Sequence, residues 1–273
     1  HEGELWEFLT MWNQSKVKPA LGEDELRRIY DSVRAMEQKG KKKIPDIDSF
    51  LDTRESIIAG YRSKYQRISF AGDNLGRLEE VMGGGLAGGR LYILGGIPSS
   101  GKTALVNNLA DNICLNGHPV LFFSYDDGKE ELLNRSLARF TSQSIELLNA
   151  CSLEDIGKLL DKEPMKQILK LKHTPENMIP VNDWDQLIEQ FMKQYGQSPV
   201  IFVDYLRKLR TDSKITDERL RVDNIITNLT DLAKAYNTPI IAISELARDS
   251  YKSGQRLSMA SFKESGTIEY EAS

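Results

Sequence analysis

The sequence predicts a doubly wound α/β domain with a central, mostly parallel sheet, preceded by a small all-α unit. Three observations carry this. Short continuous apolar runs recur at Leu91–Leu94, Val120–Phe123, Val200–Val203 and Ile240–Ile243, the pattern of strands buried on both faces of a parallel sheet. Helical stretches lie between the runs, the alternation that builds βαβ units. A glycine-rich segment, Gly96-Ile-Pro-Ser-Ser-Gly-Lys-Thr103, joins the first run to the first of these helices.

In chain order, the first 38 residues read as two helices. Leu5, Phe8, Leu9 and Trp12 fall at helical spacing, as do Leu26, Ile29, Tyr30 and Val33, and Pro19 and Gly22 separate the two sets. Glu23, Asp24 and Glu25 open the second helix, where acids suit the dipole. Residues 39–67 read as a basic linker helix: Arg34–Arg67 holds nine bases and five acids, net +4, and Phe50, Arg54, Ile57, Ile58, Tyr61 and Tyr65 mark its apolar side. Residues 68–273 form the α/β domain. Its helix from Lys102 places Leu105, Leu109 and Ile113 on one face and stops near Gly117. A second starts at Asn182, with Asp185 as a capping-box acid. A third runs from about Thr216 to Tyr236, with Leu229, Leu232 and Tyr236 inward.

Composition bounds the function. The chain has 273 residues, 40% hydrophobic and 28% charged, with 20 Gly and 9 Pro, which excludes collagen-like, disordered and low-complexity classes. No apolar run is long enough to cross a bilayer, so no membrane partner is expected and the expected location is the cytoplasm. Cys114 and Cys151 lack metal-ligand spacing and are expected as two reduced, buried thiols. A net charge of −4 excludes uniform electrostatic binding to nucleic acid; such contact has to come from local basic loops. The chain begins with His1 rather than Met and has no signal-peptide pattern, which predicts a processed or trimmed piece of a longer protein.

The glycine-rich segment matches G-x-x-x-x-G-K-[ST] and lies between strand and helix, as that motif requires. Gly96, Pro98, Ser99, Ser100, Gly101, Lys102, Thr103 and Ala104 are the expected ATP-binding residues. Glycines let the loop fold into a nest of N–H groups facing phosphates, Lys102 neutralises the β- and γ-phosphate oxygens, and the Thr103 hydroxyl takes one Mg²⁺ position. Asp204, closing the run Val200–Val203, is the expected second metal residue. Asp126 and Asp127 follow the second run, and Ser244 and Glu245 the last. Both pairs are expected in one crevice, with a carboxylate there orienting or deprotonating the attacking water. The alternative for the aspartates is that they cap the helix starting near Lys129.

These segments carry a family resemblance. Val81-Met-Gly-Gly-Gly-Leu-Ala-Gly-Gly-Arg-Leu-Tyr-Ile-Leu94 looks like the lead-in to RecA-type ATPase cores. Phe123-Ser-Tyr-Asp-Asp-Gly-Lys-Glu-Glu-Leu-Leu-Asn-Arg135, Val203-Asp-Tyr-Leu206, Ser244-Glu-Leu-Ala-Arg248 and Phe262-Lys-Glu-Ser-Gly-Thr-Ile-Glu269 are similar, in order, to motifs of DnaB-like replicative helicases. Trp12–Leu21 with the helix Glu23–Met36 resembles the helical module after primase domains in phage and plasmid primase-helicases.

The resemblance implies a RecA-like ATP hydrolase with Mg²⁺, threading single-stranded DNA through a homo-oligomeric ring, usually a hexamer, with a primase domain in the full-length chain. It implies Lys102, Asp126 and Glu245 as catalytic groups. It also places the family's final strands and intersubunit basic finger beyond Ser273. Arg207–Arg221, with six bases and three acids, and the Ser- and Gly-rich Asp249–Lys263 suit DNA-tracking loops. Arg207, Lys208, Arg210, Lys214, Lys252, Arg256 and Lys263 are the expected phosphate contacts.

Two residues depart from the family pattern: Asp126 stands where Glu is usual, and Glu245 where Gln is usual. Slow hydrolysis, or a moved catalytic acid, is the expectation, because a carboxylate facing the γ-phosphate is repulsive unless protonated or paired. Two other classes stay open at this point. One is a RecA-type ATPase of recombination or clock-like signalling, which Gly83–Gly85 fits but the Lys263–Gly266 run does not. The other is a nucleotide-binding assembly or loader protein that hardly hydrolyses ATP.

Overall fold

The computed structural model describes residues 2–16, 21–40, 54–55, 57–58, 66–72, 75–176, 179–210, 215 and 217–246. The chain divides into two units, residues 1–57 and 58–273.

The first unit contains α1 (Glu2–Lys16) and α2 (Glu23–Gly40). Asn13 is buried and closes the turn between them: its Oδ1 accepts from Leu21 N and its Nδ2 donates to Leu21 O, both at 2.9 Å. Trp6 and Tyr30 meet edge to face at 5.4 Å, and Leu26 is buried. Trp12 and Ile29, expected on the inward stripes, are exposed instead. A two-helix unit has too little partner surface to cover both stripes. Of the expected linker helix 39–67, Lys39 and Gly40 instead complete α2, Arg67 lies in a strand, and Arg54, Glu55, Ile57 and Ile58 are helical; apart from Gln66, the remainder lies outside the described residues.

The second unit opens with β1 (Arg67–Ile68), the short helix α3 (Gly76–Val81) and β2 (Leu86–Ala87), β1 and β2 pairing antiparallel. Then follow β3 (Leu91–Gly96), α4 (Lys102–Leu115), β4 (Val120–Ser124) and α5 (Lys129–Thr141). Three short helices come next: α6 (Ile145–Asn149), α7 (Leu153–Leu160) and α8 (Met165–Leu171). The rest is β5 (Lys172–His173), α9 (Trp184–Tyr195), β6 (Val200–Asp204), α10 (Glu218–Tyr236) and β7 (Ile240–Glu245). The sheet order is β3-β7-β6-β4-β5, and every pair in it is parallel.

Alternation along the strands builds two cores, because successive side chains leave opposite faces. Val120, Phe122, Phe202 and Ile243 pack with Val106, Leu109 and Ile113 of α4. Leu121, Phe123, Ile201 and Val203 pack with Trp184 and Ile188 of α9 and Ile225 and Leu229 of α10. Phe122 stacks on Phe202 at 5.6 Å, and Phe123 on Trp184 at 4.0 Å. Each such side chain contributes about 1.5–3 kcal/mol, so the sheet is held from both sides, as a doubly wound fold requires.

Two expectations change, and one stretch had carried none. The helix expected from Asn182 starts at Trp184, after a 3₁₀ turn Val181–Asp183, and no side-chain hydrogen bond caps it. A buried Trp184, whose Nε1 donates to Ile179 O at 3.1 Å, sets that entrance instead. Cys114 is buried, and burial pushes its thiol pKa up, but Cys151 is only half-buried. Helices α6 to α8 and strand β5 carried no sequence expectation, because pieces of two to eight residues are too short to show a period.

One polar cluster lies inside the first core. Asp111 of α4 is fully buried and receives Lys172 Nζ of β5 at 2.8 Å, Ser136 Oγ of α5 at 2.6 Å and Arg139 Nη2 at 3.3 Å. Asn107 also accepts from Lys172 and donates to Ser136 at 3.1 Å. Truncating one member of such a pair strands the other's charge in a poor solvent. Asp111→Ala is expected to cost about 3–5 kcal/mol, read as a lower urea midpoint with an unchanged slope.

Candidate active site

The carboxyl ends of β3, β7, β6 and β4 form one edge, where open α/β sheets bind ligands. β3 delivers the chain to Gly96, and α4 begins at Lys102. Between them Ser99 (φ 59) and Gly101 (φ 84) take left-handed conformations, which turn successive N–H groups to one side. Gly96 has no room for a side chain: an added Cβ would lie 2.8 Å from Ser100 Oγ and 3.0 Å from Lys102 Cδ. The loop therefore folds tightly over its own lysine. Lys102 Nζ donates to Gly96 O at 3.1 Å and Ile97 O at 2.8 Å.

Thr103 Oγ1 donates to Asp204 Oδ2 at 2.6 Å. Asp204 is 3% exposed, at the end of β6. Burial raises its carboxyl pKa, and the charges of Asp126 and Asp127 push the same way, while the Thr103 hydrogen bond and Lys102 oppose them. One carboxyl of a crowded acidic edge is thus raised, with burial the leading cause.

Asp126 and Asp127 stand just past β4. Asp126 Oδ1 accepts from Lys208 Nζ at 2.9 Å, and Asp127 Oδ2 from Arg135 Nη2 at 2.7 Å. The capping alternative does not hold for their side chains: Glu131 accepts from Gly128 N at 2.6 Å at the start of α5. Glu245 ends β7 opposite Gly96, while Ser244 beside it is buried. Asp126 and Glu245 do not follow neighbouring strands, since β6 with Asp204 runs between β4 and β7.

These residues line one cleft of ≈ 380 Å³, walled by Pro98–Ala104, Asp126, Asp127, Arg135, Asp204 and Glu245. The size is that of a small-molecule site. Its four acids outnumber Lys102 and Arg135, and a hydroxyl beside a carboxylate is a donor set for a hard divalent cation. The residues present fit Mg²⁺ with a polyphosphate. Arg135 was not among the expected site residues; no spacing in the sequence marks it, and the fold sets it against Asp127. Among the described residues, no cluster of three or more His, Cys, Asp or Glu forms a metal site, and no helix is long and apolar enough to cross a membrane.

The basic candidates lie beyond β6. Arg207 pairs with Glu218, Lys208 with Asp126, and Arg210 O accepts from Val181 N at 3.1 Å. Burial raises the Tyr125 phenol to about 12, against the nearby Arg210 charge. Lys214, Lys252, Arg256 and Lys263 lie outside the described residues.

Fold and cleft together define the class: a RecA-like P-loop domain with its phosphate loop at the carboxyl edge of a parallel sheet. Residues 73–273 match the DnaB-like helicase C-terminal domain, and the chain belongs to that family. It is 26% identical over 190 residues to a probable replicative DNA helicase of Guillardia theta, covering 68% of this chain and 32% of that protein. It is 27% identical over 253 residues to the replicative DNA helicase DnaB of Treponema pallidum (strain Nichols), covering 90% of this chain and 55% of that one. The chain thus spans between a third and about half the length of these curated relatives.

Among solved structures, the ATPase domain of G40P aligns with a TM-score of 0.67 at 23% identity, over 81% of this chain and 82% of that one. A DnaB-like replicative helicase, solved with its interactions with primase, aligns at 0.66 and 22% identity, over 89% of this chain and 59% of that one.

The raised carboxyl pKa gives a stability test. At neutral pH the ionised Asp204 is held in a buried, acid-rich edge. Asp204→Asn is expected to raise the melting temperature of the nucleotide-free protein, because it removes the ionised form that burial disfavours. The same variant should weaken Mg²⁺-dependent nucleotide binding, read by titration with a fluorescent ATP analogue.

Proposed function

We propose that the protein is the ATP-driven motor of a replicative DNA helicase, hydrolysing ATP to translocate on single-stranded DNA. The observation that carries the reading is the Thr103–Asp204 hydrogen bond at 2.6 Å, set under a phosphate loop in a cleft that Asp126 and Glu245 also line. In this assignment Gly96, Pro98, Ser99, Ser100, Gly101 and Ala104 shape the nest, and its N–H groups bind the phosphate oxygens. Lys102 leaves the carbonyls of Gly96 and Ile97 for the β- and γ-phosphates. Thr103 and Asp204 hold Mg²⁺, which supplies charge neutralisation at the transferring phosphoryl group. Asp126 receives a proton from the attacking water, and Glu245 faces the γ-phosphate in a sensing role.

Membership of the DnaB-like family supports DNA as the track and a homo-oligomeric ring, usually hexameric, as the working form. Arg207, Lys208 and Arg210, with Lys214, Lys252, Arg256 and Lys263 in the flanking segments, are the proposed phosphate contacts. The helical unit α1–α2 and the likeness to a helicase solved with its primase interactions support a primase as neighbour in the longer protein. The cytoplasm is the proposed location. A second reading, a weakly hydrolysing assembly or loader protein, is favoured by one observation: the candidate base is tied to Lys208.

Single-strand-stimulated ATPase assays separate the two, since a loader binds ATP with negligible turnover. Lys102→Ala is expected to abolish hydrolysis. Asp126→Asn should lower turnover about 10²–10⁴-fold with ATP affinity intact, while Glu245→Gln should preserve or raise it by removing repulsion. Unchanged turnover in Lys102→Ala would sink the motor reading. Light scattering with ATP checks the ring, and a strict monomer at all concentrations counts against it.

A further inference from the structure

Lys208 joins two parts of the molecule that sequence reasoning kept apart. It stands in the turn Leu206–Lys208, directly after β6 and at the foot of the basic segment 207–221. Leu206 and Leu209 are fully buried and pin the turn from both ends. Arg221 of α10 clamps its backbone, donating to Arg207 O at 3.0 Å and Leu209 O at 2.8 Å. The turn is fixed, so the side chain of Lys208 can change partner without moving the backbone. It runs past the Tyr205 ring, with Nζ 5.6 Å from the centroid, and donates to Asp126 Oδ1 at 2.9 Å. The two side chains are 40% and 50% exposed, within reach of an anion from solvent.

We propose that Lys208 is a latch on the hydrolytic carboxylate, released by nucleic-acid phosphate. The proposal rests on the reading of Asp126 as the base. With no polyanion bound, the ammonium occupies the oxygen that has to receive the proton. A backbone phosphate at the basic segment offers the ammonium an equivalent anion. Asp126 Oδ1 is then free. The water oxygen bonds to the γ-phosphorus as the bond to the bridging oxygen breaks, the electron pair leaves with ADP, and the water proton passes to Asp126. An exposed ion pair is weak, so the latch is worth about two- to fivefold in rate and breaks readily.

The test compares turnover with and without poly(dT) in the assembled protein for wild type, Lys208→Gln, Lys208→Arg and Asp126→Asn. Affinity for a fluorescent ATP analogue is measured alongside to show that the site is intact. Lys208→Gln is expected to raise basal turnover about two- to fivefold and to cut the poly(dT) stimulation ratio by the same factor. Lys208→Arg keeps the positive charge and should retain the poly(dT) stimulation that Lys208→Gln loses. If Asp126→Asn is inactive but Lys208→Gln leaves basal turnover unchanged or lowers it, the latch is overturned and the base assignment stands. Turnover surviving in Asp126→Asn overturns the base assignment and the latch with it. Lys208 is exposed and its turn is pinned by other residues, so loss of fold does not mask the result; Lys208→Ala serves as a second, shorter replacement.

Discussion

The hydrogen bond from Thr103 to Asp204 depends on almost everything else in the second unit. It joins the first turn of α4 to the end of β6, although β7 separates β6 from the strand that leads into the loop. The two groups meet only if β3, β7 and β6 hold their register, with Gly96 opposite Glu245 and Val203 opposite Ala242. α4 must also lie flat on the sheet, which Val106, Leu109 and Ile113 ensure by packing on the strand side chains of one face. The apolar runs of the sequence are therefore the means by which two polar atoms far apart in the chain are brought within 2.6 Å.

The cost of that arrangement is electrostatic. Asp126, Asp127, Asp204 and Glu245 share a cleft with Lys102 and Arg135. The chain manages the excess locally: Arg135 takes Asp127, Lys208 takes Asp126, and Thr103 donates to Asp204. Lys102 stays on carbonyl groups of its own loop. Asp126 and Asp127 are poised to exchange their partners, because their pairs reach solvent and such pairs are cheap to break.

The sheet was readable in the sequence because β4, β6 and β7 are buried on both faces and so are written as unbroken apolar runs, while β3, half-buried at the sheet's end, carries a similar run. The phosphate loop was readable because its residue types are dictated by backbone geometry, as the left-handed conformation at Gly101 makes plain. What escaped was short or relational. Helices α6 to α8 carry too few turns to show a period, and β5 is two residues long. Arg135 looks in sequence like any surface residue of α5, and only its place opposite Asp127 brings it to the cleft. Lys208 reads as one base in a basic run until the fold sets it against Asp126. Spacing along a chain identifies faces of elements, but pairs between elements have no spacing to read.

The buried ion pair of Asp111 and Lys172 has a consequence at the rim of the molecule. Lys172 belongs to β5, one of the two end strands of the sheet among the described residues. A border strand offers unpaired peptide groups, an invitation to stray chains to add themselves by strand pairing. Here the border is only two residues long, and one of them turns its charged side chain inward, 8% exposed, onto Asp111. An intruding strand would find almost no ladder to extend, and would have to accept a neighbour whose charge is already committed to the interior. The pair that anchors α4 thus also keeps this edge of the sheet from becoming a seed for aggregation.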